Sequence, residues 1–287
     1  MTFALRLCCG VVAVLQLAVS VGVRAADEPA NNLASLLASG KPAVGIWTGA
    51  LSAPRIAKVL ATSDVDFIVA DVEHDIYDFP MLHRFLLEVQ DFHHRFRTQP
   101  RPAPSVLIKL GHRGGWDPRY EIAESLKVGP ANGVWVPMVE SRAEMERIIS
   151  TFEHAEQSGM EGINVRTAAG QSPLWPLNPN GPLMVVAMIE TEAGVRNARE
   201  IIETPGLAAV HLVHVSEADA ASVLKLCLER KVIAGRDANP NNIKERLDAG
   251  YRLISLGWDF GMLQRQLTET IKGVRSAMSR PASASDR

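Results

Sequence analysis

Hydrophobic positions along this chain follow two alternating rhythms. Short, nearly continuous apolar runs are bounded by glycine, proline or acidic residues, as in strands buried on both faces. Between them lie longer stretches with apolar residues at helical spacing, as in helices with one buried face. The runs place strands at Val44–Thr48, Phe67–Ala70, Ser105–Lys109, Gly133–Pro137, Leu183–Ile189, Ala208–Val213, Val232–Ala234 and Arg252–Leu256. A helix over Asn31–Gly40 leads, with an asparagine to cap it and a glycine to end it. Others are predicted over Ala53–Thr62, Pro80–Phe92, Ser141–His154, Glu192–Ile202, Glu217–Arg230, Pro240–Ala249 and Asp259–Met278, with one more opened by Asp117-Pro118. Ser141 and Glu144 have the spacing of a capping box.

Eight strand–helix units after one leading helix predict an α/β fold, a (β/α)8 TIM barrel. The rival is a doubly wound open sheet. Its glycine-rich dinucleotide turn after the first strand is replaced here by TGALSAP at residues 48–54, which is not that fingerprint. The stretch Ser158–Pro182, rich in glycine, proline and asparagine, interrupts the alternation and reads as a functional loop or lid. The tail 279–287 reads as disordered.

The amino terminus follows a different pattern. Arg6 precedes the apolar run Gly10–Val23, and Val23-Arg24-Ala25 fits the small-x-small rule for cleavage before Ala26. Residues 1–25 are therefore expected to be a signal peptide, with residues 26–278 forming the barrel of a periplasmic or secreted protein. An uncleaved anchor is the alternative, although the run is short for a membrane span. After cleavage no membrane attachment is expected. Cys8 and Cys9 leave with the leader, so the remaining Cys227 has no internal disulfide partner; its helical setting suggests packing, not nucleophilic chemistry. A net charge of −2 without basic blocks gives no call for nucleic acid.

Two strand ends carry the candidate chemistry. FIVADVEHD (67–75) ends in Asp71, Glu73 and His74, and LMVVAMIETE (183–192) ends in Glu190 and Glu192. In parallel α/β folds, ligands bind at the carboxyl ends of strands. Facing one pocket, these ends would supply a base and oxygen donors for a divalent cation. The ordinary alternatives are a strand-end histidine satisfying the backbone, acids in a solvated turn, and a helix N-terminal acid. Glu192 fits the last of these better than Glu190 does.

Five stretches together carry a family resemblance: LASGKPAVGIW, DFIVADVEHD, GVWVPMVES, VAMIETEAGVRN and LISLGWDFGML. From about Asn31 to Leu267 the chain resembles the HpcH/HpaI aldolases, metal-dependent class II pyruvate aldolases. The resemblance implies a (β/α)8 barrel assembled as a homo-oligomer, a trimer or hexamer. It implies cleavage or formation of an aldol bond between a small 2-oxo acid and an aldehyde through a metal-stabilised enolate. The cation would be Mg²⁺ or Mn²⁺, with Co²⁺ or Zn²⁺ also tolerated. His74 falls on the catalytic histidine, Asp71 and Glu73 on the acids around the metal, and Glu190 on a metal ligand.

Other positions depart from the family pattern. The second metal-binding aspartate of a Gly-Pro-x-Asp motif falls on Ser216; a one-residue slip offers Glu217, and His214 is a further candidate. The enolate-stabilising arginine falls on Lys109, with Arg113 nearby. The acid that orients the histidine falls on Lys127, with Glu124 close in sequence, and a glutamine beside the metal ligand falls on Met188. These departures keep two alternatives open: a degenerate barrel that binds a small acid or partner without turnover, and a metal-free lyase using Lys109 as a Schiff base.

Overall fold

A computed structural model describes residues 31–279 except 52, 75–77, 99, 112–117, 128–129 and 154–169. The expected leader, the cap at Asp117, Arg113, residues 158–169 of the long loop and residues 280–287 of the tail lie outside the described residues. In chain order the elements are α1 (Asn32–Ala38), β1 (Ala43–Thr48), α2 (Pro54–Thr62), β2 (Phe67–Asp71), α3 (Phe79–Phe96), β3 (Ser105–Lys109), α4 (Pro118–Lys127), β4 (Ala131–Val136) and α5 (Arg142–Glu153). There follow β5 (Leu174–Trp175), β6 (Leu183–Ile189), α6 (Glu192–Arg196), α7 (Ala198–Ile202), β7 (Ala209–Leu212), α8 (Glu217–Arg230), β8 (Ile233–Asp237), α9 (Ile243–Ala249), β9 (Leu253–Trp258) and α10 (Asp259–Met278).

Every strand pairing is parallel, and the β4–β6 pairing closes the sheet into a ring of eight strands, with the short β5 paired to the start of β6. This is the expected (β/α)8 barrel. Closure brings β4 and β6 so near that a Cβ on Gly133, whose φ is +142°, would overlap the Met184 carbonyl oxygen. Glycine is therefore required there.

The apolar runs divide by side. Phe67, Val69, Leu107, Trp135, Met184, Val186 and Met188 fill the barrel interior. Their alternate neighbours face outward against the helices, for example Ile68 and Ile108 against Leu82 and Phe85 of α3. Helix α1 plugs the amino-terminal end of the barrel, with Leu33, Ala34 and Leu37 joining the interior cluster. Asn31 fixes the plug. Its side chain accepts from the Ala34 N–H at 3.1 Å and donates to the carbonyls of Pro182 at 3.0 Å and Asn132 at 3.3 Å.

Several element boundaries differ from expectation for local reasons. The helix predicted over Glu192–Ile202 breaks at Asn197, whose side chain leaves the helix to donate to the Glu140 carbonyl at 2.7 Å. Helix α9 starts at Ile243 instead of Pro240 because Asn239 and Asn242 form side-chain-to-backbone turns ahead of it. In the Ser141 capping box, Glu144 reaches back to the N–H of Glu140, one residue before the serine.

Helix α10, like α9, has no buried residue, and its Phe260, Leu263, Leu267, Ile271, Val274 and Met278 form an exposed apolar stripe. Among the described residues, no helix is long and apolar enough to cross a membrane.

Candidate active site

At the carboxyl ends of β2 and β3, Asp71 and Lys109 are direct partners in the ladder and both are buried. Lys109 Nζ lies 3.1 Å from Asp71 Oδ2, 2.5 Å from Glu73 Oε2 and 3.1 Å from His74 Nδ1. The other Asp71 oxygen accepts the backbone N–H groups of Glu73 at 2.8 Å and His74 at 2.9 Å. That double acceptance turns the chain sharply after β2 and brings His74 back over the strand end. His74 Nδ1 lies 3.0 Å from Asp71 Oδ2, while the ring is 58% exposed and meets Trp258 edge-on at 5.5 Å. With Nδ1–H donating to the carboxylate, Nε2 keeps its lone pair. The arrangement supplies a base held by a buried acid, next to a buried ammonium.

The candidates on the opposite wall have other occupations. Glu190, just after β6, accepts the Met138 N–H at 2.8 Å and so holds the turn after β4, where Met138 has a φ of +51°. Ser216 caps α8, accepting from the Asp219 N–H at 3.1 Å and donating to Asp219 Oδ2 at 2.6 Å. Both Glu217 oxygens are held by arginines, by Arg246 at 2.9 and 3.1 Å and by Arg236 at 2.8 Å; the Arg246 hydrogen bonds first, and the charge of both arginines, keep its carboxyl below its usual range. His214 is exposed, with a φ of +56°. Lys127 pairs with Glu124 at 3.3 Å on the outside of α4, so the acid that orients His74 is Asp71 itself.

Similarity to known proteins identifies the family. The profile of the HpcH/HpaI aldolase/citrate lyase family matches residues 44–226, more than half of the chain. The chain belongs to the HpcH/HpaI aldolase/citrate lyase family. A hydroxypyruvate/pyruvate aldolase of Roseovarius nubinhibens is 26% identical over 264 residues, covering 85% of this chain and 96% of the relative. A 4-hydroxy-2-oxovalerate aldolase of Novosphingobium aromaticivorans is 28% identical over 253 residues, covering 81% and 90%. Among solved structures, citrate synthase SbnG superposes with a TM-score of 0.68 at 20% identity, covering 87% of this chain and 99% of that one. A family protein from Burkholderia cenocepacia gives 0.66 at 21%, covering 85% and 99%. Membership makes the chain an enzyme of the lyase type.

The divalent cation implied by the family finds an incomplete seat. Among the described residues, the one group of three possible ligand side chains is Asp71, Glu73 and His74, with ligand atoms within 4.8 Å of one another. The Lys109 ammonium already touches all three. Among the described residues, Glu190 and Glu217 belong to no such group. A cation at Glu190 has one carboxylate there, and its expected companion position is Ser216, which is occupied as a helix cap. The donor set does not match a two-carboxylate oxygen site.

Three residues of this region escaped the sequence reading. Glu121 is buried in the first turn of α4 and accepts the Gly111 N–H, bracing the turn that follows Lys109. Its signal was an acid near a helix start. Trp258 stacks on Trp47 at 6.3 Å and flanks His74; its signal was an aromatic at the end of the last strand. His211 is fully buried inside the barrel against Trp47 and Trp135, and neither ring nitrogen makes a hydrogen bond. Burial pushes its imidazole down to about 4, only partly countered by Asp237 at 3.5 Å. Its apolar strand gave no sign of it. Burial also pushes the Cys227 thiol up to about 12, as expected for a packing cysteine.

Proposed function

We propose that this chain is a carbon–carbon lyase of the aldolase type that cleaves or forms the aldol bond of a small 2-oxo acid. One observation carries the reading: Asp71, His74 and Lys109 meet at the mouth of a family barrel. In the cleavage direction, His74 Nε2 takes the proton from the hydroxyl of the aldol. The adjacent carbon–carbon bond breaks, the aldehyde departs, and its electron pair moves to the 2-oxo oxygen as an enolate. The Lys109 ammonium is the charge placed to stabilise that oxygen. Reprotonation at carbon releases the oxo acid. The relatives named as aldolases for hydroxypyruvate, pyruvate and 4-hydroxy-2-oxovalerate support small oxo acids as the substrate class. For Mg²⁺ or Mn²⁺, Glu190 is the carboxylate available.

Two further parts of the reading concern setting. The leader pattern over residues 1–25 supports export, which fractionation of cells expressing the full chain tests. The bare apolar stripe of α10 supports a homo-oligomer, which light scattering tests, with Leu263→Glu and Leu267→Glu together expected to dissociate it.

The direct test is loss of the pyruvate methyl proton signal in D₂O. The wild type is expected to catalyse exchange, and His74→Ala to slow it by about 10²–10⁴-fold. No exchange with pyruvate or hydroxypyruvate, together with no cleavage of 4-hydroxy-2-oxo acids, would defeat the reading. In that case a barrel that binds an acid without turnover would remain.

A further inference from the structure

The positive charge at this mouth is built into the chain. Asp71 Oδ2, Glu73 Oε2 and His74 Nδ1 are the ligand atoms that a cation would use, and Lys109 Nζ stands within 3.1 Å of each. A divalent ion bonds oxygens at about 2.0–2.2 Å, so using these donors would require expelling the ammonium or pressing two positive charges together. The Lys109 side chain is only 4% exposed, and it closes a strand whose every residue is buried, so it has little room to withdraw. The opposite wall does not compensate. Ser216 is spent as a cap, Glu217 is held by two arginines, and Glu190 pins the Met138 turn.

We propose that Lys109 is the resident cation of this site, doing at the enolate oxygen what a divalent ion does elsewhere in the family. The inference rests on the oxo-acid reading above. An ammonium has three N–H donors. Two go to Asp71 and Glu73. When His74 Nδ1–H donates to Asp71, its nitrogen has no lone pair for Lys109, and the third ammonium N–H is left for an oxygen of the bound acid. Asp71 is meanwhile stabilised by two backbone N–H groups as well as by the lysine and the histidine. The same four residues therefore hold the charge and aim the base.

Calorimetric titration of the full protein with oxalate, a planar mimic of the enolate, tests this in EDTA and in Mn²⁺. Oxalate is expected to bind equally in both. Removing the ammonium by Lys109→Met should free both carboxylate oxygens, and His74 Nδ1 once its proton moves to Nε2, so that the variant takes up about one Mn²⁺ per chain and gains thermal stability from it. Adding Glu73→Gln should abolish that uptake. Should Lys109→Met not fold even with Mn²⁺, the wild-type titration alone decides. The proposal is overturned if Mn²⁺ tightens oxalate binding to the wild type by about tenfold or more, or if folded Lys109→Met takes up no Mn²⁺. Absence of oxalate binding in both conditions counts against the oxo-acid reading instead, and Mn²⁺ uptake by the variant still decides whether Lys109 fills a cation seat.

Discussion

The two walls of the barrel mouth have used similar residues differently. On the β2–β3 wall, Asp71, Glu73, His74 and Lys109 are bonded chiefly to one another, and the resulting cluster opens to solvent through the His74 ring. On the β6–β8 wall, Glu190, Ser216 and Glu217 are bonded to backbone, to a helix end and to two largely buried arginines. The first wall concentrates charge where it can act on a ligand. The second spends its polar groups on holding turns and helices. Residues of the right type near a strand end therefore do not make half a site; what they are bonded to decides.

Substitutions sharpen the contrast. Lys109→Met should have the largest effect, because it takes the ammonium from a fully buried carboxylate and leaves it only the His74 ring and two backbone N–H groups. A loss of about 3–5 kcal/mol in chemical denaturation is expected without added metal, and a loss below 1 kcal/mol would mean that Asp71 is not held as an ion pair. His211 lies inside the barrel beneath both walls, and its effect appears through pH. Its folded value of about 4 lies below the ordinary 6.5, so the unfolded chain binds the extra proton first. Stability should be full above 6.5 and fall by up to about 1.4 kcal/mol per pH unit as pH drops towards 4. His211→Phe should flatten that part of the curve; an unchanged curve would show that the ring titrates normally.

Smaller effects belong to the second wall. Ser216→Ala removes the α8 cap and should cost about 1 kcal/mol. Glu217→Ala removes the exposed carboxylate shared by Arg236 and Arg246 and should cost about 0.2–1 kcal/mol. Both variants should retain pyruvate exchange. If either loses it at unchanged stability, as measured by NMR exchange on the folded variant, the second wall takes part in the chemistry and the contrast fails.

The barrel was legible because a parallel strand buried on both faces must be nearly all apolar, and eight such runs stand out between helical stretches. Asp71 and Lys109 were legible for the same reason: each is the polar residue that ends a buried run, which puts it at the mouth. Residues whose role depends on a neighbour distant in sequence were not legible. Glu217 has the spacing of a ligand, and nothing near it in the chain shows that Arg246 will reach it from α9. His211 reads as an ordinary strand position until the ring closes and places it between two tryptophans. Lys127 took the place of an orienting acid only by alignment; the fold turns it outward and gives the task to Asp71. The two-residue β5 is too short for any periodic signal.

Asn31 also has a consequence for the order of events in folding. Its side chain bonds to carbonyls 101 and 151 positions later in the chain. Contacts of such long range form late, because the intervening chain must first be made and drawn together. Asn31 leaves the ribosome before either partner and is therefore among the last described residues to be fixed. The floor is thus latched after the walls, and the barrel shuts from its walls downward.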